Sequence, residues 1–145
     1  MPTISKHILI VDNDAATRKL FGALLSRVGF EVLYAKDGNE GHEMAEKLIP
    51  DLILLDINMP IMDGWETASK LKSGLNSIVV EIPIAFLTND DLSLEDQANA
   101  KEIGIIDYIQ KGASNEEFIE RVKKIIELAS RVGDVKSVDT NYDYH

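Results

Sequence analysis

Five short apolar runs, each followed by a stretch with helical spacing, constrain this chain more than any other feature. The runs are "HILIVD" (7–12), "FEVLYA" (30–35), "DLILLD" (51–56), "IPIAFLT" (82–88) and "IIDYIQ" (105–110). Most are continuously apolar and rich in Ile and Val, the pattern of strands covered on both faces. Leu20, Phe21, Leu24, Leu25 and Val28 recur at helical spacing, and Gly29 stops that segment. Gly41, Met44, Ala45 and Leu48 mark a second helix before Pro50, and Trp65, Ala68 and Leu71 a third. Leu94, Ala98 and Ile103 give a weaker fourth, and Phe118, Val122, Ile125, Ile126 and Ala129 a last one. Three of the helices open with an oxygen-bearing residue three positions before a Glu: "DGNE" (37–40), "DGWE" (63–66) and "SNEE" (114–117). Strict strand–helix alternation implies a doubly wound α/β domain, a five-stranded parallel sheet with right-handed crossovers and five helices.

The domain is expected to span residues 1–132. The stretch "GDVKSVDTNYDYH" (133–145) loses the helical period and reads as a polar, disordered tail. There are 25 acids against 15 bases, a net charge of −10, which argues against nucleic-acid and anionic-lipid partners. The absence of cysteine excludes thiolate chemistry. No apolar run approaches the roughly 20 residues that span a bilayer, and the first residues lack a signal-peptide pattern. Cytoplasm is the expected location. Histidines 7, 42 and 145 are too scattered to suggest a metal cluster.

Ligands of open parallel sheets bind beyond the carboxyl ends of the strands. There the sequence delivers Asp12, Asn13 and Asp14 from the first strand and Asp56 from the third. The fourth strand delivers Thr88 and the fifth Lys111. Clustered carboxylates need a counter-charge, and oxygen donors without Cys or paired His suit a hard ion, Mg²⁺ above all. Around Asp56 the sequence reads "DLILLDINMPIMDGWE", with Met-Pro beyond the acid and Asp-Gly opening a helix. Together with the acids after strand one, "FLT" and "YIQK", this resembles the receiver domain of bacterial response regulators over residues 6 to 130.

The resemblance implies a flavodoxin-like strand order 2-1-3-4-5 and a stand-alone, chemotaxis- or phosphorelay-type signalling protein rather than an enzyme. Asp56 would accept a phosphoryl group from a histidine kinase or histidine phosphotransfer protein. Asp12, Asn13, Asp56 and the backbone carbonyl of Asn58 would hold Mg²⁺. Lys111 and Thr88 would contact the phosphoryl oxygens, and Tyr108 would turn inward once Thr88 is engaged. Output would be altered contact with a downstream protein target, the protein itself being a monomer or weak dimer. Three positions depart from the family pattern. Asn13 stands where a second ligating acid is usual, which weakens metal affinity. Gly112 replaces a cis proline, which implies a trans bond and a slightly displaced Lys111. Asn89 stands where a small residue is common and narrows access. Asp90 and Asn58 flank the site and would set the rate of self-hydrolysis. Asp14 reads as a helix cap more readily than as a water-mediated metal partner.

Other readings fare less well. A haloacid-dehalogenase-type phosphatase would use Asp12 as nucleophile within "DNDAA", but has Ala16 at a Thr or Val position and leaves Asp56 and Met59-Pro60 unexplained. An EF-hand fails because Ala23 sits where the twelfth-position Glu is required. A flavin site lacks a Ser/Thr/Gly-rich phosphate loop. A receiver-like docking module that is never phosphorylated is the more serious alternative, motivated by Asn13 and Gly112.

Overall fold

Every apolar run forms a strand in the computed structural model, which describes the backbone of residues 5–142 and the side chains of residues 5–131. The strands are β1 (His7–Val11), β2 (Glu31–Ala35), β3 (Leu52–Asp56), β4 (Ile84–Thr88) and β5 (Asp107–Gln110). They pair in parallel in the order β2-β1-β3-β4-β5. The central strands β3 and β4 are buried along their whole length, whereas edge strand β2 is half-exposed, which explains its more mixed sequence.

The period of two along each strand divides the core. Leu9, Val11, Ile53, Leu55, Ile84 and Phe86 face one layer, and Ile8, Ile10, Leu52, Leu54, Ala85 and Leu87 the other. The first layer is covered by α2 (Gly38–Leu48), α3 (Gly64–Lys72), α4 (Ser77–Val80) and α5 (Leu94–Ile103). The second is covered by α1 (Ala15–Arg27) and α6 (Asn115–Tyr142). Phe21 of α1 stacks on Phe118 of α6 at 4.3 Å, joining the two helices over the sheet.

The three expected capping pairs form. Glu40 N–H donates to Asp37 at 2.8 Å, Glu66 N–H to Asp63 at 2.9 Å, and Glu117 N–H to Ser114 at 3.1 Å. The helix count is six rather than five, because α4 is a single turn too short to show a period. Asn76 caps it, accepting from Ile78 N–H, and Lys72 Nζ closes its far end on the carbonyls of Val80 and Ile82. In α5 the expected apolar face is right only in part, since Ile103 packs against the core and the other two residues do not. Leu94 is 84% exposed and Ala98 is exposed, while Ala100 is buried in the core and Ile105, just past the helix, is buried with it. Helix α6 runs to Tyr142, past the expected boundary at 132. The side chains of the expected tail lie outside the described residues, as do residues 143–145 altogether.

Candidate functional site

The ends of β1, β3 and β5 bring two acids and a lysine into contact. Lys111 Nζ stands 2.8 Å from Asp12 Oδ2 and 3.1 Å from Asp56 Oδ1. Both carboxylates are buried, Asp12 fully and Asp56 to within 1% of its surface. Backbone pairing holds Asp56 as the last residue of β3 and carries Asp12 and Lys111 one residue past β1 and β5. Asp12 N–H donates to Ala35 carbonyl at 3.1 Å, Ile57 N–H to Leu87 carbonyl at 3.1 Å, and Lys111 N–H to Thr88 carbonyl at 2.8 Å. Among the described residues no peptide bond is cis, so the Lys111–Gly112 bond is trans, and the ammonium still spans both acids.

Burial and the nearby Asp12 charge push the Asp56 carboxyl above its usual range, against the pull of Lys111 and the Asn58 N–H. Burial also works against the Lys111 ammonium, but the two carboxylates outweigh it and hold its pKa above the usual value. The site therefore keeps one cation against two acids. Asp12 Oδ1 accepts from Asp14 N–H at 2.9 Å. Asp12 Oδ2, although close to Lys111, is buried without a geometrically satisfactory hydrogen bond among the described residues. A buried, under-satisfied carboxylate oxygen is what a hard cation would complete.

These residues fit Mg²⁺ through the carboxylates of Asp12 and Asp56, with remaining positions open to water, which that ion retains readily. They do so with little charge to spare: among the described residues no three His, Cys, Asp or Glu side chains gather into a metal-binding group. Asn13 is exposed at the rim, beside the loops carrying Asp37 and Pro60. Asp14 is the cap of α1. One of its oxygens accepts from Ala16 N–H at 3.3 Å and the other from Thr17 hydroxyl at 2.6 Å. Its carboxylate thus serves its own helix, and the Thr17 hydroxyl in particular lowers its pKa.

The remaining expected residues sit near the site in other arrangements. Asn58 is exposed and donates its N–H to Asp56 Oδ1 at 3.3 Å. Thr88 is buried, and its hydroxyl is occupied by its own loop, donating to Asp90 carbonyl at 2.8 Å and accepting from Asp90 N–H at 3.2 Å. Asn89 and Asp90 are exposed. Tyr108 points outward and donates its phenol to Asp91 Oδ1 at 2.7 Å, a contact that raises its pKa.

Two supporting residues escaped the sequence reading. Arg18 NH1 donates to the Asp12 carbonyl at 2.6 Å and fixes the turn after β1. Its signal was its place one turn beyond the Asp14 cap. Gly64 packs against the backbone of Asp56: a Cβ there would lie 2.4 Å from the Asp56 carbonyl oxygen and 2.7 Å from Ile57 Cα. Only glycine lets α3 start this close to the acid.

A five-stranded doubly wound sheet whose carboxyl edge carries an Asp–Lys–Asp cluster defines a class of signalling domain. The response regulator receiver domain model matches residues 8–123, and the chain belongs to that family, the receiver of two-component signal transduction. It is 35% identical over 123 residues to the phosphate regulon transcriptional regulatory protein PhoB of Pseudomonas aeruginosa, covering 85% of this chain and 52% of that protein. It is 34% identical over 137 residues to the alkaline phosphatase synthesis transcriptional regulatory protein PhoP of Bacillus subtilis, covering 92% and 55%. The chain thus spans about half the length of these relatives. Chemotaxis protein CheY4 of Vibrio cholerae superposes with a TM-score of 0.78 at 28% identity, covering 84% of this chain and 99% of that one. A CheY-like receiver domain protein of Methanospirillum hungatei gives 0.77 at 27%, covering 88% and 98%.

Proposed function

We propose that Asp56 accepts a phosphoryl group from a phosphohistidine on a histidine kinase or histidine phosphotransfer protein, and that the acyl phosphate changes which protein the domain binds. The observation that carries this reading is Lys111 spanning the carboxylates of Asp12 and Asp56. In the transfer, an Asp56 carboxylate oxygen forms a bond to phosphorus as the phosphorus–nitrogen bond breaks, and the imidazole leaves with the electron pair. Phosphoryl transfer asks chiefly for alignment and neutralisation of charge, so a rigid carboxylate on a strand end is a competent acceptor.

Lys111 holds the carboxylate in place before transfer and neutralises a phosphoryl oxygen afterwards. Asp12 and Asp56, with the Asn58 carbonyl and Asn13, would hold Mg²⁺, which supplies positive charge to the transferring oxygens. Thr88 must leave Asp90 to donate its hydroxyl to the phosphoryl group. Tyr108 then moves inward, altering the surface made by α5, β5 and α6, a population shift between two conformations. Asn58 and Asp90, both exposed, would govern attack of water on the acyl phosphate.

Intact-mass measurement after incubation with acetyl phosphate and Mg²⁺ tests this directly. One added phosphoryl group that disappears in Asp56→Ala and with chelator is the expected result. A wild type left unmodified at high Mg²⁺ refutes phosphoacceptance and favours a constitutive docking module, a reading that the exposed Asn13 and the two-carboxylate site motivate. Loss of the adduct in Asp12→Ala alone, with Asp56→Ala still modified, would instead point to Asp12 as nucleophile.

A further inference from the structure

The two hydroxyls that the switch requires, on Thr88 and Tyr108, are both held by consecutive residues of the loop between β4 and α5. Thr88 hydroxyl donates to the carbonyl of the Asp90–Asp91 peptide and accepts from the Asp90 N–H, so this side chain orients the peptide plane that carries Asp91. Asp91 in turn accepts the phenol of Tyr108 at 2.7 Å across 17 residues of sequence. Asp91 and Tyr108 line one side of a cleft of about 420 Å³ that Arg121 also borders. Arg121 bonds the Tyr108 carbonyl at 2.8 Å and Asp107 at 3.0 Å, fixing the strand while leaving the phenol to Asp91. The ring lies partly against the apolar layer that contains Phe86.

We propose that Asp91 is a positioning residue that latches Tyr108 outward, and that the peptide it shares with Asp90 makes release of Thr88 and of Tyr108 one event. The inference rests on the switching role given to Thr88 and Tyr108 above, but adds the element that holds the resting state. When Thr88 turns toward the active site it vacates the Asp90 carbonyl, the loop loses its anchor, and Asp91 is drawn off the phenol. In the resting chain the latch keeps the inward state scarce, and any partner that binds that state does so in proportion to its population. The raised pKa of the phenol agrees with a donor engaged by a carboxylate.

The test is fluorine NMR on the full chain labelled with 3-fluorotyrosine. The four tyrosines at 34, 108, 142 and 144 are separable by assigning Tyr108 through Tyr108→Phe, and the Tyr34 signal reports that the fold is intact. Losing one exposed hydrogen bond is expected to raise the inward-to-outward ratio of Tyr108 about three- to ten-fold in Asp91→Ala. The signal then moves toward that of a ring protected from a soluble paramagnetic reagent. Asp91→Asn keeps an acceptor oxygen and is expected to restore most of the wild-type signal. Thr88→Val, which frees the Asp90 carbonyl, is expected to shift Tyr108 in the same direction.

An Asp91→Ala signal indistinguishable from wild type overturns the latch. A Tyr108 signal that moves in Asp91→Ala and stays fixed in Thr88→Val overturns the shared release. Both measurements are repeated in an Asp56→Ala background, where no acyl phosphate forms. The latch is therefore read separately, and failure of phosphoacceptance at Asp56 leaves its result standing.

Discussion

Replacing Asp56 by Asn is expected to stabilise the fold at neutral pH by about 1–3 kcal/mol, although it removes an ion pair. The two ion-pair distances, 2.8 and 3.1 Å to a common nitrogen, place the Asp12 and Asp56 oxygens within about 6 Å of each other. At an effective dielectric of about 20, that repulsion is about 3 kcal/mol and the Lys111 attraction on Asp56 about 5 kcal/mol. Taking a carboxylate out of water adds several kcal/mol against the charged form. The direction of the Asp56 shift shows which side wins: burial first, then Asp12, outweigh the lysine. Asn keeps the shape and an oxygen for Lys111 while removing the charge.

The pH dependence has a definite sign. The carboxyl ionises less readily folded than unfolded, so as pH rises from its usual 3.8 the unfolded chain releases the proton first and folding stability falls. The loss is complete above the raised folded pKa and absent below both values. The Asn variant has no such loss. Urea titrations of both proteins from pH 7.5 down to about 4 measure the difference, provided the two m-values agree. The advantage of Asp56→Asn should shrink as pH falls. A variant that is no more stable at pH 7.5, or whose advantage grows in acid, refutes the account of a strained carboxylate pair.

Three further outcomes follow from the same geometry. Lys111→Met leaves two buried carboxylates without their cation and should lose about 3–5 kcal/mol, partly recovered by Mg²⁺ in the same urea titration. Asn13→Asp adds a formal charge at the rim and should tighten Mg²⁺ binding by calorimetric titration; equal or weaker binding would mean that residue 13 does not reach the ion. Gly64→Ala drives a Cβ into the Asp56 and Ile57 backbone and should cost about 1–3 kcal/mol and slow modification by acetyl phosphate, whereas full stability would show that α3 can retreat.

What could be read in advance depended on whether a residue's place is dictated by sheet topology or by a side chain's choice of partner. Asp12, Asp56 and Lys111 were legible because parallel strands expose their carboxyl ends along one edge, so residues at or one step past the ends of β1, β3 and β5 have little option but to meet. Asp14 was legible because a short acid before a helical period caps that helix, and here it does. The face of α5 was legible only at Ile103, since Leu94 and Ala98 satisfy the same helical period while the packing leaves them exposed and turns Ala100 inward. The four-residue α4 was not legible. The resting positions of Thr88 and Tyr108 were invisible for a different reason. A hydroxyl on a strand end has several acceptors in reach, and nothing in "FLTNDD" says that Asp90 takes one through its backbone and Asp91 the other through its carboxylate. That ambiguity is also what a switch needs. The two acids and the lysine are held by backbone register in a single arrangement, whereas each hydroxyl is held by one or two exchangeable hydrogen bonds, individually worth about 1 kcal/mol. On the proposed phosphoryl transfer, the new charged acceptor at Asp56 would compete with the loop for Thr88 and leave the Asp–Lys–Asp framework undisturbed.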